Sequence, residues 1–305
     1  MGFTENSFLF VFLPVSVIAY ITADKLLGRD TVNNSLLVAF SLIFYYWAGK
    51  ETLVVFFLIV VFTFVSGKVI ESSKKEERKK KTVFPVIALI GVLVFYKSYE
   101  HIAVILNDIK PESPVITLKL IIPLGLSFVI FEAISYVLDI YLCDAAAGNL
   151  LECLMFLALF PKLISGPIVF WRDFNRQLEG RRVEISKAAK GIDKIIIGYA
   201  KKVIIADSFG FQVALIDAAI SAGPIDTPTM WLKALLYFFQ LYYDFSGYSD
   251  IAIGLCNIYG FDIKGELQLS ISVKIRFRVL AQMAHITGIL VQRICLYSDG
   301  REQKR

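Results

Sequence analysis

The sequence is poor in histidine, cysteine and charge, and each shortage excludes a class of protein. Only two histidines and four cysteines occur in 305 residues. Because Cys143, Cys153, Cys256 and Cys295 show no CxxC spacing, neither a disulfide framework nor a zinc site is expected, and no metal site is predicted. Charged residues make up 19% of the chain, whereas an average soluble protein has about a quarter.

Apolar residues are correspondingly abundant, at 56% of the chain with a mean hydropathy of +0.64. A single soluble core cannot bury so many apolar residues. The composition therefore predicts an integral membrane protein whose first partner is membrane lipid. The net charge is +5. The basic residues separate apolar segments and do not line one face, so nucleic-acid binding is not expected.

About seven or eight membrane segments are predicted, and several are short, tilted or re-entrant because a helical span needs about 20 apolar residues. The first is expected to be a retained span and not a signal peptide, since Glu5 precedes it without any basic residue and no cleavage site follows. The predicted segments are 8–21, 35–48, 53–65, 83–96, 118–142, 151–169, 195–205 and 231–258.

Two polar connectors interrupt the apolar segments. Residues 68–81 carry a basic run, and the positive-inside rule predicts that this loop is cytoplasmic; a specific site for anionic lipid is the alternative. Residues 171–194 are polar and lead into a basic amphipathic helix, which we expect to lie in the membrane interface. The lysines of that helix are Lys187, Lys190, Lys194, Lys201 and Lys202.

The first polar cluster within an apolar segment begins with Pro123, which interrupts a span. Glu132, Ser135, Tyr136 and Asp139 follow close to one helical stripe. Two interpretations stay open: these groups share a polar interior, or they are hydrogen-bonded packing contacts between helices.

The second cluster, residues 240–250, places two carboxylates and several hydroxyls in the longest span. Asp244 and Asp250 are expected on opposite sides of an unbroken helix, and Gly247 would permit a break between them. Irregular backbone at membrane depth is tolerated where it lines protein or water. A cavity-lining role is therefore predicted, with packing between helices as the alternative.

A third element, residues 160–167, has two prolines around a glycine and is expected to be a broken or re-entrant segment. Its Lys162 would snorkel to the interface or meet an anion. From composition alone, a transporter and an intramembrane enzyme are both possible.

In this order, the three clusters resemble the membrane-bound O-acyltransferase (MBOAT) superfamily, and most closely its alginate O-acetylation branch. The most specific match is Tyr-Asp-Phe-Ser-Gly-Tyr-Ser-Asp-Ile-Ala-Ile-Gly at 243–254, and the resemblance covers about residues 3–264. It implies an all-α polytopic fold around a polar tunnel in a bacterial cytoplasmic membrane. The shorter matching motifs are 6–14, 123–128, 135–141, 160–168 and 201–207.

The resemblance implies an enzyme that transfers acyl groups, with acetyl favoured, to hydroxyls of an exported polysaccharide. The donor would be a thioester, acetyl-CoA or an acyl carrier, with no bound cofactor, and accessory extracytoplasmic acetyltransferases are further candidate partners. Pro123, Gly166 and Pro167 would shape the bends. Six residues would line the tunnel: Tyr243, Asp244, Ser246, Tyr248, Ser249 and Asp250.

The sequence departs from this family where the catalytic histidine belongs, because the expected Phe-Trp-Arg-Arg-Trp-His never occurs. Codons permitted for residues 279–287 spell that motif when read one base later, which suggests a one-base insertion near Gly265. Residues 1–264 would then be part of one transmembrane domain and 265–305 an out-of-frame tail. His285 is not expected to act as the base, since a base needs positioned geometry and its neighbours are the wrong ones.

The interpretation is therefore an O-acyltransferase of the alginate O-acetylation type that is truncated before its catalytic histidine and has little or no activity as written. A transporter-like protein that uses Asp244 and Asp250 to carry protons or cations is the alternative. An inactive remnant is the third possibility.

Overall fold

The computed structural model describes residues 3–109, 120–164, 166–167, 169–223 and 225–263. Over these ranges all the regular structure is helical, which confirms the all-α prediction. Short π-helical or 3₁₀ segments at Phe8–Phe12, Lys50–Thr52 and Ala200–Ala206 adjoin the α-helices. The α-helices are α1 Leu13–Leu27, α2 Asp30–Gly49, α3 Leu53–Glu71, α4 Lys75–Ile109, α5 Leu126–Leu142, α6 Leu150–Ala158, α7 Trp171–Asn175, α8 Ile185–Tyr199, α9 Asp207–Ala222 and α10 Thr227–Ile258.

Four helical stretches are long and apolar enough to cross a membrane: Phe8–Leu27, Asp30–Glu71, Lys75–Tyr99 and Ile185–Ala222. The second contains both α2 and α3, so the protein is a multi-pass membrane protein. By contrast α5 has 17 residues and α6 has nine. Both are shorter than the roughly 20 residues of a full span, and shorter than the predicted segments 118–142 and 151–169 that they overlap.

Two of the expected connectors are largely helical. In the basic segment 68–81, α3 continues to Glu71 and α4 begins at Lys75, which leaves only residues 72–74 as a turn. Lysine, arginine and glutamate are good helix formers, so this polar run extends both helices. The second connector, residues 171–194, contains α7 and the first ten residues of α8.

The described residues form two compact units. Unit 1 contains residues 3–191 and Leu255–Ile263, and unit 2 contains Ile192–Gly254.

An aromatic cluster from distant parts of the chain forms the centre of unit 1. The ring of Phe160 lies 5.2 Å from that of Phe12 in an edge-to-face arrangement and 5.7 Å from that of Tyr259. The Tyr259 hydroxyl shares a 2.8 Å hydrogen bond with the Ser16 hydroxyl, and Tyr20 donates to the Tyr259 carbonyl at 3.0 Å. These contacts attach residues 255–263 to α1, and each aromatic pair contributes about 0.5–1.5 kcal/mol beyond its area.

Connecting segments meet at one end of unit 1 and form what we call the connector layer, residues 28–29, 72–74, 143–149 and 176–184. Arg182 donates to the carboxylate of Asp30 at 2.7 Å and to the carbonyl of Gly28 at 2.8 Å. The Ala147 amide donates to Glu71 at 3.0 Å. The connector layer is therefore held by charge-assisted bonds across elements far apart in sequence.

Arg181 is the buried anchor of this layer, with 7% of its surface exposed. Its guanidinium donates to the Asn34 amide oxygen at 2.8 Å and to the Tyr20 hydroxyl at 3.1 Å. It also lies 3.9 Å from the centre of the Phe261 ring. Stacking and hydrogen bonding together satisfy the planar cation in the protein interior.

Unit 2 is built from the end of α8, the π-helical segment, α9 and most of α10. The Phe209 ring of α9 packs against Phe239 and Tyr243 of α10, with ring centres 5.8 and 6.4 Å apart. Lys233 forms an ion pair with Asp217 between the same two helices.

Candidate functional site

The candidate tunnel-lining residues lie on α10, which is continuous from Thr227 to Ile258. The helix break considered at Gly247 is therefore absent from α10. The glycine permits a close helix contact instead. A Cβ atom at Gly247 would lie 2.7 Å from the carbonyl oxygen of Gly198, and one at Gly198 would lie 2.6 Å from the carbonyl oxygen of Gly247. Only two glycines allow the backbones to approach this closely.

The unbroken helix also corrects the expected directions of the two carboxylates. Six residues of an α-helix turn through about 600°, so Asp244 and Asp250 point about 120° apart and not to opposite sides. Gly247 lies midway between them along the helix. Neighbouring side chains from one segment can therefore contact both carboxylates.

Two consecutive lysines of the π-helical segment make these contacts, and we call them the lysine pair, Lys201 and Lys202. The Lys201 ammonium lies 2.5 Å from Asp250 and 3.1 Å from the Ser246 hydroxyl. The Lys202 ammonium lies 2.6 Å from Asp244 and 3.2 Å from Asp207 at the start of α9. Both carboxylates of the candidate site are thus neutralised within unit 2.

The remaining candidates surround these ion pairs. Ser246 is buried at 7% exposure. Tyr243, Tyr248 and Ser249 are half-buried, as are the two aspartates. The arrangement can present hydroxyls and fixed charges to a polar substrate. A continuous tunnel bounded by these residues stays a prediction.

The proposed bend residues belong to unit 1, whereas the six tunnel candidates belong to unit 2. Pro123 lies in the non-helical segment 120–125, which precedes α5. Gly125 there has φ +62°, and a Cβ at this position would collide with the Leu163 carbonyl oxygen. Gly166 and Pro167 follow the turn at 160–164, and the Gly166 amide donates to the Lys162 carbonyl at 3.0 Å.

Lys162 does not snorkel, because it is enclosed at 1% exposure and forms an ion pair with the equally buried Glu132. The ammonium lies 2.6 Å from the Glu132 carboxylate and also donates to the Phe156 carbonyl. It lies 4.4 Å from the centre of the Phe156 ring and 5.6 Å from that of Phe174. The anion that Lys162 meets is therefore a side chain of α5, and this enclosed pair fixes the 160–164 turn to that helix.

Tyr136 and Asp139 of the α5 stripe also join neighbouring segments. The Tyr136 hydroxyl donates to the Ala147 carbonyl at 2.7 Å. Asp139 accepts a bond from the Arg172 amide at 3.0 Å. Of the two interpretations left open for this stripe, these contacts support the one in which hydrogen bonds join neighbouring segments of the fold.

Some sequence predictions concern residues outside the described ranges. They are His285, the insertion near Gly265 and the 265–305 tail. Within the described ranges, no group of three or more histidine, cysteine, aspartate and glutamate residues could hold a metal ion.

The lysine pair is the feature that sequence reasoning missed. Lys201 and Lys202 were assigned to the polar face of an amphipathic helix, as a helical period suggests. An available signal was the need to neutralise two aspartates in a predicted membrane segment, for which the preceding cations are Lys233 and, before it, these two lysines.

Comparison with known proteins identifies three kinds of relative. No family model matches the chain. It is 36% identical over 267 residues to the "Probable alginate O-acetylase AlgI" of Pseudomonas aeruginosa, a match that covers 86% of this chain and 50% of that protein. It is 29% identical over 288 residues to the peptidoglycan O-acetyltransferase of Helicobacter pylori, covering 83% and 53% of the two chains.

A third relative is the teichoic acid D-alanyltransferase of Streptococcus thermophilus, 29% identical over 143 residues, which are 45% of this chain and 34% of that protein. The chain thus spans about half the length of the alginate O-acetylases it matches. Over that half, the chain is similar to the alginate O-acetylases.

Proposed function

We propose that the protein is a membrane-bound O-acyltransferase that moves acetyl groups onto hydroxyls of an extracytoplasmic polysaccharide. The observation that carries this proposal is the 36% identity over 267 residues to an alginate O-acetylase. The lysine pair and its aspartates support it, because charged groups inside a membrane segment are costly and usually functional. Tyr243, Asp244, Ser246, Tyr248, Ser249 and Asp250 are the proposed lining of the site.

The proposed reaction is acyl transfer from sulfur to oxygen. The acceptor hydroxyl attacks the thioester carbonyl, the carbon–sulfur bond breaks, an ester forms, and the hydroxyl proton ends on the released thiol. Acetyl-CoA or an acyl carrier would be the donor, with accessory extracytoplasmic acetyltransferases as further candidate partners. A general base must accept the hydroxyl proton, and the described residues contribute fixed charge around the site.

We propose that the connector layer faces the cytoplasm and that the membrane is the bacterial cytoplasmic membrane. Lys74 in this layer is exposed, and so are Lys75, Lys79 and Lys80 in the adjoining first two turns of α4. The other end of α2, about 30 Å away along its axis, has only Lys50 in its turn. Basic residues collect on the cytoplasmic side of membrane proteins.

Cysteine labelling tests this orientation, because Cys143 is exposed in the connector layer whereas Cys153 and Cys256 are buried. In a Cys295→Ser background, a membrane-impermeant maleimide should label Cys143 only after the cells are broken. As the matched control, Lys50→Cys in a Cys143→Ser, Cys295→Ser background should be labelled on intact cells. The reverse pattern would invert the proposed topology.

The ion pairs disfavour the transporter-like alternative. A carboxylate that carries protons or cations must lose its resident counter-charge during the cycle, yet Asp250 and Asp244 each have a lysine within 2.6 Å. Ion flux through the reconstituted protein without any acetyl transfer would support that alternative. If the protein from either reading frame shows neither ion flux nor acetyl transfer, it is an inactive remnant.

The decisive experiment is to sequence the gene from the codon for Tyr243 past the stop codon and to assay both forms. We expect a one-base change to open the frame into Phe-Trp-Arg-Arg-Trp-His. The frame-restored protein should move labelled acetyl groups from acetyl-CoA or a carrier to polysaccharide, and the 305-residue chain should not. If no such peptide lies in the other frame, the insertion hypothesis is wrong and His285 becomes the candidate base.

A further inference from the structure

The lysine pair occupies an unusual piece of backbone. Lys201 and Lys202 lie in the π-helical segment Ala200–Ala206, between α8 and α9. π-Helical turns are rare and occur frequently at functional sites. This change of helical geometry coincides with the segment that contacts the two aspartates of the candidate site.

The segment crosses α10 directly at Gly247. A Cβ atom on Gly247 would lie 3.1 Å from the Lys202 amide nitrogen and 3.2 Å from the Lys201 Cβ. Because the two lysine backbones rest on this glycine, their side chains diverge along α10 in opposite directions. One reaches Asp244, three residues before Gly247, and the other reaches Asp250, three residues after it.

Each lysine therefore contacts a different carboxylate of α10. Lys201 bridges Asp250 and Ser246, which are neighbours one turn apart on α10. Lys202 bridges Asp244 and Asp207, and so joins α10 to the start of α9. Ion pairs of this length, between partly buried groups, hold side chains in defined orientations better than exposed pairs do.

We propose that Lys201 and Lys202 are positioning residues of the acyl-transfer site: Lys201 orients Asp250 and Ser246, and Lys202 orients Asp244. The assignment of a catalytic purpose rests on the function proposed above, whereas the one-to-one pairing rests on geometry alone. The aspartates act as fixed anions that shape the site, and Gly247 with Gly198 sets the helix distance at which both pairs can form.

Charge exchange tests the pairing in the full 305-residue chain in detergent. Lys201→Asp and Asp250→Lys should each lower the ratio of folded to unfolded protein about tenfold or more, since each leaves a charged group without its partner. The double variant Lys201→Asp, Asp250→Lys should recover at least half of that loss on a logarithmic scale. The matched control Lys201→Asp, Asp244→Lys exchanges charges that are not partners and should show no recovery. Purely additive effects in the first double variant would overturn the pairing.

Kinetics then separate positioning from mere stability. In the acetyl-transfer assay on the frame-restored protein, with rates normalised to the amount of folded protein, Lys201→Met should lower kcat about tenfold at an unchanged KM. Lys201→Arg, which keeps the charge, should restore most of kcat, and Lys201→Gln replaces Lys201→Met as the test variant if the latter fails to fold. An unaltered kcat in folded Lys201→Met would overturn the positioning role. Absence of acetyl transfer in the parent protein would refute the proposed function but leave the charge-exchange result intact.

Discussion

Unit 1 and unit 2 each neutralise charge inside a membrane protein, but in different surroundings. The enclosed pair of unit 1, Lys162 and Glu132, has side chains 0% and 4% exposed, next to two aromatic rings. In unit 2 the side chains of Lys201 and Asp250 are 29% and 20% exposed, and those of Lys202 and Asp244 are 30% and 46% exposed. The first arrangement excludes other partners, whereas the second leaves its charges accessible.

This difference in exposure distinguishes ion pairs that serve the fold from ion pairs that can serve a functional site. A fully enclosed ion pair contributes little net stability, because desolvation offsets the attraction, but losing one partner is severe. Half-exposed pairs tolerate loss better, because water can solvate the charge that is left behind. The location of accessible charge therefore supports the site on α10 more strongly than the presence of intramembrane charge alone.

The largest expected effect comes from breaking the enclosed pair. Glu132→Gln leaves the Lys162 ammonium buried without a counter-charge and should lower the free energy of unfolding by about 3–5 kcal/mol. The double variant Glu132→Gln, Lys162→Gln removes both charges and should return most of that stability. Denaturant titration in detergent measures both. If Glu132→Gln unfolded at the same denaturant concentration as the wild type, Lys162 and Glu132 would not form a charged pair in the folded protein.

The next largest effect concerns the contact that brings the lysine pair to α10. Gly247→Ala places a methyl group 2.7 Å from the Gly198 carbonyl and should cost about 1–3 kcal/mol through overpacking. Gly91→Ala in α4 is the matched control, because a Cβ there meets nothing within 4 Å. That variant should be neutral or stabilising by up to about 1 kcal/mol. Equal effects at both positions would contradict the close approach at Gly247.

A smaller effect is expected from salt, which should weaken the half-exposed ion pair of unit 2 but not the enclosed pair of unit 1. Exposed charges are screened by ions, and the Debye length falls from about 10 Å at 0.1 M salt to about 3 Å at 1 M. Double-mutant cycles at these two salt concentrations should show a weaker coupling between Lys202 and Asp244 at high salt. The coupling between Lys162 and Glu132 should stay constant. A salt-independent Lys202–Asp244 coupling would mean that this pair is as enclosed as the other.

The smallest effect is expected at Asp226, a fully solvated carboxylate before α10. Its hydrogen bond from the Thr229 hydroxyl, 2.7 Å long, holds the pKa of this carboxyl below its ordinary value. A lowered pKa contributes stability above the ordinary aspartate value, and that stability is lost as the pH falls through the lowered one. Asp226→Asn should therefore slightly reduce the fall in the free energy of unfolding at acidic pH. An unchanged pH dependence would show that the Thr229 hydrogen bond does not contribute to stability.

Local patterns in the sequence predicted most of the helices, because apolar runs and proline positions act over a few residues. The interrupted span before α5 and the broken segment at 160–167 both follow from such signals. The Lys162–Glu132 pair could not be predicted from local signals, since the partners are thirty residues apart. A lysine near a proline turn could equally reach the membrane surface. Whether a polar residue snorkels or pairs depends on tertiary contacts.

Gly247 shows the same limit. A glycine within a polar stretch is compatible with a helix break or with close packing, and only the position of Gly198 on a neighbouring segment distinguishes the two. Likewise, the directions of Asp244 and Asp250 follow from helix geometry once the helix is known to be continuous. The candidate residues could thus be predicted individually, but the lysines that hold them could not.

The anchoring of Arg181 has a consequence for the order of events during synthesis. Asn34 in α2 receives its guanidinium partner from a residue 147 positions later. At ~5–20 residues per second this interval is about 7 to 30 s. The Tyr20 hydroxyl in α1 lacks its acceptor for longer still, because the Tyr259 carbonyl lies 239 positions further on. The first two helices therefore enter the membrane with polar groups whose partners are not yet made, so water, lipid headgroups or the insertion machinery must satisfy them until the later segments arrive.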